Sequence, residues 1–283
     1  MPVVSVRAPA KVNLFLEVVR RRPDGYHDIL TVFLKIGLYD TLYLQRVASG
    51  ITVVCDHPDV PADERNIVWQ AAQRLQQEIG TTQGVRIRIT KRIPVGAGLG
   101  GGSSDAAALL RHLPRLWGAK IPETTLVRLA AGLGADVPFF LLPETAAVGR
   151  GRGDVLQPID VRGHIWLVVV DPGIFVSTRE VYQGLGECLT KRRNDVRILI
   201  RALKDADAAG LSPYLFNRLE QVVFERHPQV RTLKETLAAR GARAVLMSGS
   251  GSIVFGVAAD RSEAVRMASG FRGIAAAHAV RSL

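Results

Sequence analysis

A glycine-rich segment that leads directly into a helix-forming segment constrains this chain more than any other feature. Residues 94–108 read P-V-G-A-G-L-G-G-G-S-S-D-A-A-A, and glycine lets the backbone take positive φ and approach a ligand closely. Residues 106–116 are rich in alanine and leucine and predict a helix that starts at Ser103 and Ser104. A glycine loop at a helix N-terminus presents free N–H groups and the positive end of the helix dipole to an anion. The segment therefore predicts a phosphate-binding site, with the two serine hydroxyls as further donors or as helix caps.

The segment departs from the common nucleotide-binding motifs. A P-loop has a lysine at the place where this chain has Gly102. Gly96, Gly98 and Gly101 satisfy a bare G-x-G-x-x-G, but no acidic residue about 20 residues later ends a second clear strand, as a dinucleotide fold requires. The alternative is a flexible glycine loop. The direct run into a good helix favours the phosphate site.

The composition is that of a globular protein with anionic partners. The chain has 283 residues, of which 47% are apolar, enough for one large domain or two small ones. Its net charge of +11 favours nucleotides or nucleic acid as ligands. The strand faces are aliphatic rather than aromatic and basic, which argues against nucleic acid. The basic triplets 20–22 and 191–193 are typical of solvated loops.

The lack of a signal peptide pattern and the spacing of the two cysteines indicate a location in the cytoplasm. No apolar run is long enough to span a bilayer, and the N-terminus lacks the long apolar stretch of a signal peptide. Cys55 and Cys188 lie far apart without metal-ligand spacing, which is typical of free thiols in a reducing compartment. We therefore expect a soluble, cytoplasmic protein without a membrane partner.

Strand patterns dominate the N-terminal half and helical patterns the C-terminal half, which predicts the α+β class. The patterns predict a break in the first strand at residues 8–10 and two separate strands over 31–36 and 41–46. They also predict helices over 66–79 and 213–225. A turn rich in glycine and arginine lies near the middle of the chain and is the predicted domain boundary.

Three features together suggest phosphoryl transfer. Lys11 and Asn13 would share one face of a strand, and Asp136 follows a glycine turn. Phosphoryl transfer needs a loop for the phosphates, a cation that offsets charge, and a carboxylate that accepts the proton of the attacking hydroxyl. Taken singly, Lys11 also fits a solvated strand lysine, and Asp136 also fits a helix cap or a turn.

Two further segments are ambiguous by pattern. Tyr26 and His27 follow a turn and can hold a planar ligand by stacking and hydrogen bonds, although a lone histidine is more often structural. Residues 248–252 read S-G-S-G-S and fit either a plain hairpin turn or a second backbone contact to a ligand.

The ordered blocks of this sequence resemble the GHMP kinases, the superfamily of galactokinase, homoserine, mevalonate and phosphomevalonate kinases. P-V-G-A-G-L-G-G-G-S-S-D-A-A resembles its second motif, A-P-A-K-V-N-L its first and S-G-S-G-S-I-V-F its third. The blocks K-V-N-L-F-L, P-D-G-Y-H-D-I, L-Y-D-T-L, G-A-D-V-P-F-F and G-R-G-D-V-L-Q-P-I narrow the resemblance to one branch. That branch phosphorylates the 2-hydroxyl of 4-diphosphocytidyl-2-C-methyl-D-erythritol in the non-mevalonate route to isoprenoids. The resemblance runs from about Ala8 to near Phe255.

The resemblance implies a two-domain α+β GHMP fold with the active site in the inter-domain cleft. Residues 1–154 would form the ATP-binding domain and residues 155–283 the substrate-binding domain. The implied cofactors are ATP and Mg²⁺ as the ATP complex, with no metal ligand identified in the protein. The partner is a small-molecule substrate, and the expected state is a monomer or a weak homodimer. The rivals are another kinase or a decarboxylase of this superfamily, a nucleic-acid-binding protein, and a nucleotide sensor without catalysis.

The resemblance also implies a role for particular residues. Asp136 matches the catalytic base, Lys11 its partner, and Asn13 a contact near the reacting end of the substrate. Tyr26, His27 and Tyr182 match the residues that hold cytosine. The ATP-binding positions implied by the motif match are Pro94, Val95, Gly96, Ala97, Gly98, Leu99, Gly100, Gly101, Gly102, Ser103 and Ser104, with Asn66 and Lys91 near the adenosine.

The sequence departs from the pattern of that family at two positions. Asp28 stands where glutamate is more common, and Arg218 stands where aspartate is usual. The second departure puts a helix-surface contact in doubt. Neither departure touches Lys11, Asp136 or the glycine loop.

Overall fold

The computed structural model describes residues 3–186 and 196–283. The described residues form two compact units that are interleaved along the chain. The first unit comprises the residues up to 10, 38–95 and 100–143, and the second comprises 11–37, 96–99 and 144–283. Cys188 and the second basic triplet lie outside the described residues. Cys55 is a free, half-buried thiol, as predicted.

The strands of the first unit come from the N-terminal part of the chain. They are β1 (Val3–Arg21), β2 (His27–Val47), β3 (Ile51–Cys55) and β4 (Gly84–Thr90). Strands β1 and β2 are long, and each contributes its other part to the second unit. Strand β4 pairs antiparallel with residues 41–47 of β2 and parallel with β3.

The helices of the first unit are α1 (Ile67–Ile79), α2 (Gly101–Leu116), α3 (Glu123–Leu133) and α4 (Val137–Leu141). The predicted helix over 66–79 is confirmed: Asn66 caps α1, and the buried residues Val68, Ala71, Ala72 and Leu75 have helical spacing. These side chains share one apolar cluster with β2, β4, α2, α3 and α4. The cluster fixes α2, and with it the end of the glycine loop.

The second unit contains two groups of strands. Strands β5 (Ala146–Arg150) and β6 (Val155–Ile159) form a hairpin, and β5 pairs with residues 31–34 of β2. The short strand β8 (Phe216–Asn217) pairs parallel with β1. A separate antiparallel sheet has the order β11-β7-β10-β9, with β7 at Trp166–Asp171, β9 at Ala244–Met247, β10 at Val254–Ala258 and β11 at Ala276–Arg281.

Most helices of the second unit pack with these strands around their own apolar cluster. The helices of this unit, in chain order, are α5 (Thr178–Gln183), α6 (Val196–Lys204), α7 (Ala208–Leu211), α8 (Glu220–Arg226), α9 (Pro228–Ala239) and α10 (Arg261–Ser269), with a 3₁₀ turn at Ser212–Tyr214. The α+β class is therefore confirmed. Among the described residues, every helix falls short of the length and apolar character that a membrane span requires.

Three local predictions are wrong. Strand β1 continues through Pro9, because proline removes one donor but leaves φ in a range that a strand tolerates, and Ala8 and Ala10 on either side are fully buried. Strand β2 is continuous over the two strands predicted at 31–36 and 41–46. The predicted helix over 213–225 begins only at Glu220, since Asn217 bonds backbone groups with its side chain and interrupts the helix.

The two compact units do not divide the chain at a single point, since β1 and β2 pass from one to the other. The assignment of ATP binding to residues 1–154 and of substrate binding to 155–283 stays a prediction.

Candidate active site

Lys11 lies on β1 in the second unit and is buried rather than solvated. Its Nζ donates to Oδ1 of Asn13 at 2.7 Å and to the carbonyl oxygen of Gly98 at 3.0 Å. Lys11 is 3% and Asn13 2% exposed. The two residues share a strand face, as predicted. The alternative of a solvated strand lysine is therefore excluded, and the ammonium is held by uncharged oxygen acceptors.

The amide of Asn13 is fixed at both ends. Its Nδ2 donates to Oγ1 of Thr31 at 2.7 Å, and Thr31 donates in turn to the carbonyl of Phe15 at 2.7 Å. The oxygen of the amide is thereby directed to Lys11. Thr31 was not predicted as a site residue, because its alternation on β2 is that of any strand threonine.

The loop at 248–252 holds the glycine loop rather than forming a plain hairpin turn. Ser248 Oγ donates to the carbonyl of Gly98 at 3.0 Å and accepts from the backbone N of Asn13 at 3.3 Å. A Cβ on Gly98 would lie 2.2 Å from the carbonyl oxygen of Ser248, and Gly98 has φ +85°, so this approach requires glycine. Lys11, Asn13, Thr31, Gly98 and Ser248 are called the Lys11 cluster below.

Asn217 fixes the same loop from the other side and was missed by the sequence reasoning. Its Nδ2 donates to the carbonyls of Met247 and Gly249 at 2.7 and 2.8 Å, and its Oδ1 accepts from Leu219 N at 2.9 Å. The signal was a single amide among apolar residues, inside a segment that was taken for a helix.

The glycine loop enters α2 earlier than predicted. Gly100, with φ 70°, occupies the N-cap position, and the helix begins at Gly101 rather than at the serine pair. The first intrahelical bond runs from Ser104 N to the Gly100 carbonyl at 2.9 Å. Left-handed glycine closes the loop without a side-chain cap, so the serines lie in the first turn. Ser104 Oγ is buried and has no hydrogen-bond partner within 3–186 and 196–283.

Lys91 was expected near the adenosine, but its side chain is engaged inside the first unit. Its Nζ donates to Oδ2 of Asp105 at 3.1 Å and to Oδ2 of Asp40. Asp40 Oδ1 accepts from the backbone N of Arg92 at 2.6 Å and of Ile93 at 2.9 Å. Lys91, Asp40 and Asp105 are called the Lys91 cluster below, and all three are buried.

Burial governs the charges in the Lys91 cluster. It raises the pKa of Asp105 to about 7, with Lys91 opposing the shift and Asp40 adding to it. Burial lowers the pKa of Lys91, but the two carboxylates more than offset this and the net shift is upward. Asp40 and Asp105 were not predicted as site residues, although a charged residue within an apolar strand was a signal for Asp40.

Asn66 serves as a structural cap in the first unit. Its Oδ1 accepts from Val68 N at 2.8 Å and its Nδ2 donates to the carbonyl of Pro61 at 2.7 Å. Both ends of the amide are engaged, so a contact to adenosine through this side chain would require one bond to be exchanged.

Asp136 occupies the N-cap position of α4 in the first unit. It has φ −82° and ψ −17°, and its carboxylate makes no side-chain capping bond to the helix. The residue is half-buried. Asp136 therefore stands at the position of a helix cap, but its carboxylate does not form the capping hydrogen bond.

His27 and Tyr182 lie together in the second unit, as the resemblance implied. Their ring centroids are 5.3 Å apart with planes 31° from parallel. Burial, with the charge of Arg21 adding to it, lowers the pKa of His27. The imidazole is therefore neutral at pH 7, with one nitrogen that donates and one that accepts. Tyr26 is 59% exposed, and the Arg152 guanidinium lies 5.5 Å from its ring centroid.

The turn that carries Tyr26 is held by its own charged residues. Arg22 Nη1 donates to Asp28 at 2.9 Å, and the backbone N of Tyr26 donates to Asp24 at 3.1 Å. Arg20 also pairs with Asp28 at 2.5 Å. Asp28 therefore fulfils a pairing role despite its departure from the family pattern.

The described residues include no group of three or more histidine, cysteine or carboxylate side chains that could hold a metal ion.

Arg218 pairs with Glu17 of β1 at 2.8 Å. The position that departs from the family pattern therefore connects the end of β8 to β1 in this chain.

Comparisons with known proteins agree with one another. The model of the GHMP kinases N terminal domain matches residues 66–144, and that of the GHMP kinases C terminal matches residues 196–274. The 4-diphosphocytidyl-2-C-methyl-D-erythritol kinase of Desulfotalea psychrophila is 45% identical over 90% of this chain and 85% of its own length. The kinase of the same name from Shouchella clausii is 42% identical over 95% and 90%. A crystal structure of 4-(cytidine 5'-diphospho)-2C-methyl-D-erythritol kinase has TM-score 0.87 and 39% identity over 99% of both chains.

Proposed function

The chain belongs to the GHMP kinase family, and from this membership we propose that it transfers the γ-phosphoryl group of ATP to the 2-hydroxyl of 4-diphosphocytidyl-2-C-methyl-D-erythritol. The observation that carries the proposal is the shared name of relatives that are 45% and 42% identical over 90% and 95% of the chain. Identity at this level over nearly the whole chain makes the substrate the natural proposal, since a shared fold alone would not specify it.

Asp136 is the proposed base. Its carboxylate accepts the proton of the 2-hydroxyl, the hydroxyl oxygen forms a bond to the γ-phosphorus, and the bond from that phosphorus to the β–γ bridging oxygen breaks to release ADP. Support comes from the match of Asp136 to the base position of the family motif and from its place at the N-terminus of α4.

Lys11 is the proposed cation beside the reacting groups. Its Nζ donates to the amide oxygen of Asn13 and to the carbonyl oxygen of Gly98, which hold the ammonium in a fixed position. A desolvated ammonium attracts a phosphoryl oxygen more strongly than a solvated one. The Ser248 bond to the Gly98 carbonyl supports a positioning role for the third motif.

The ATP phosphates are proposed to bind at the loop and the first turn of α2, residues 94–104. Gly96, Gly98 and Gly100 have positive φ, which supports a backbone that turns its N–H groups toward an anion. Mg²⁺ would neutralise phosphate charge. Such an ion usually keeps several waters and is bound through substrate phosphates and one or two carboxylates.

The cytosine is proposed to lie against Tyr26, His27 and Tyr182. A neutral imidazole donates one hydrogen bond and accepts another, which suits the edge of a pyrimidine base. The division into functional domains at 154/155, a cytoplasmic location and a monomer or weak homodimer stay predictions.

The test is substrate-dependent ADP release by the purified protein. The panel of alcohols is 4-diphosphocytidyl-2-C-methyl-D-erythritol, homoserine and mevalonate. Turnover is expected with the cytidyl substrate and not with the other two. Turnover with homoserine or mevalonate instead would move the chain to another branch of the family, and ATP binding without turnover of any alcohol would indicate a sensor.

The Asp136→Asn variant tests the base. We expect kcat to fall by roughly 10²–10⁴-fold, the usual contribution of a positioned acid–base group. Asp260→Asn is the matched control, because Asp260 is also an N-cap residue and asparagine caps as well as aspartate does. An Asp136→Asn variant with the kcat of the control would remove Asp136 from the chemistry.

A further inference from the structure

The Lys91 cluster joins three segments for which the proposed chemistry has no role. Asp40 belongs to L-Y-D-T-L on β2, Lys91 follows the end of β4, and Asp105 follows the serine pair on α2. They meet in a buried position of the first unit. Buried charges that are not consumed by the chemistry need a structural or positioning reason.

The contact with Gly101 connects this cluster to the phosphate-binding turn. A Cβ on Gly101 would lie 3.1 Å from Lys91 Nζ and 3.0 Å from Ile93 Cγ2. Gly101 and Asp105 are four residues apart and so lie on the same face of α2. The first turn of α2 therefore packs directly against the ammonium of Lys91. Asp105, one turn further along α2, accepts a hydrogen bond from the same ammonium.

The charge balance of the cluster is incomplete. One ammonium faces two carboxylates, and Asp40 is further stabilised by two backbone N–H groups. Asp105 Oδ1, by contrast, is buried and has no hydrogen-bond partner among the described residues. The Cys55 thiol on β3 also lies in electrostatic range of Asp105, and burial raises the pKa of that thiol, which keeps it neutral. Asp105 is thus the carboxylate of the cluster with fewer hydrogen bonds to stabilise its ionised form.

From this geometry we infer that Lys91, Asp40 and Asp105 form a positioning cluster that sets the first turn of α2 and, through the charge on Asp105, tunes the affinity of that turn for the phosphates of ATP. The inference rests on the proposed function for the identity of the anion. With Asp105 protonated the cluster is neutral, and with Asp105 ionised it places a net negative charge beneath the anion-binding turn. ATP then binds more weakly, because a negative charge offsets the helix dipole.

Calorimetric titration with MgATP between pH 6 and 9 tests the inference in wild type and Asp105→Asn. The amide keeps an oxygen for Lys91 but cannot ionise. The ratio of the two Kd values is the measured quantity, because the terminal phosphate titrates near pH 6 and its own effect cancels in the ratio. We expect a ratio near one at pH 6 and about threefold to tenfold tighter binding by the variant at pH 8.5, the size expected for a partly screened unit charge.

The matched control is Asp59→Asn, which removes the same charge from a side chain that is 80% exposed. It is expected to follow wild type at every pH. A constant ratio for Asp105→Asn across the pH range would overturn the inference, and so would an equal change in the control.

A second measurement needs no variant. If ionised Asp105 weakens ATP binding, reciprocity requires MgATP to raise the pKa of Asp105. Titration of the Asp105 carboxyl carbon by NMR should show this upward shift on saturation with MgATP, and an unchanged titration would overturn the inference. Because both measurements follow ATP binding rather than turnover, absence of kinase activity would remove the proposed function and leave the binding data to decide this inference.

Discussion

Two lysines of this chain are almost fully buried beside the glycine loop, and they are stabilised in opposite ways. Lys11, in the second unit, donates to an amide oxygen and a carbonyl oxygen. Lys91, in the first unit, donates to two carboxylates. These two acceptors of Lys11 are uncharged, whereas the two acceptors of Lys91 are anions that compensate its charge.

The sequence context of the two lysines does not reveal this difference. Each belongs to a segment that is next to or within a motif, and each was expected to contribute to the active site. The difference comes from Asp40, which is 51 positions away from Lys91 along the chain. The comparison therefore predicts that Lys91 matters mainly for folding and Lys11 mainly for the reaction.

The largest expected effect is the loss of stability in Lys91→Met. Removal of the ammonium leaves two buried carboxylates without their cation, and breaking a buried ion pair from one side costs about 3–5 kcal/mol. Chemical denaturation at pH 8 should show this decrease in the free energy of unfolding. Lys11→Met should lose about 1–3 kcal/mol through the two neutral acceptors that it leaves unpaired, while its kcat falls by about 100-fold.

Lys120→Met is the control for both lysine variants, because Lys120 is exposed, and it should leave stability and kcat unchanged. Equal stability losses in Lys91→Met and Lys11→Met would show that the two clusters do not differ in the way their hydrogen bonds suggest.

The next largest expected effect is a pH dependence of the free energy of unfolding that arises from Asp105. Burial raises its pKa to about 7 from the ordinary value of 3.8, so between these values the folded state binds more protons than the unfolded state. Stability from this group is present at low pH and is lost as the pH rises through about 7. The free energy of unfolding of wild type relative to Asp105→Asn should therefore fall between pH 5 and pH 8, by on the order of 2 kcal/mol.

Denaturation curves at fixed pH values measure this slope. A flat difference, with wild type and variant keeping the same relative stability from pH 5 to pH 8, would mean that Lys91 holds Asp105 ionised throughout the range. That result would make the cluster a conventional ion pair and would remove the contrast in charge with the Lys11 cluster.

Local elements were predictable where the pattern is set by neighbours in sequence. Helix α1 was found from its apolar spacing. The pairing of Lys11 with Asn13 on one face also followed from strand geometry. Contacts set by distant segments were not predictable, since Ser248 is 150 positions from the Gly98 carbonyl that it bonds. Asn217 was hidden for the same reason, because its partners lie on the loop after β9.

The smallest expected effect is that of Ser248→Ala, which separates positioning from charge within the Lys11 cluster. The hydroxyl donates to the Gly98 carbonyl that also accepts from Lys11, and it accepts from the backbone N of Asn13. Its removal should cost about 1–2 kcal/mol of stability and lower kcat by about tenfold, with little change in the Kd for MgATP, because the ammonium keeps its charge but loses a fixed position. Ser269→Ala is a matched control, since that hydroxyl bonds only carbonyls of its own helix among the contacts of the described residues. If Ser248→Ala weakened MgATP binding and left kcat intact, the third motif would act on the nucleotide rather than on Lys11, and the two clusters would be alike in serving the phosphate loop.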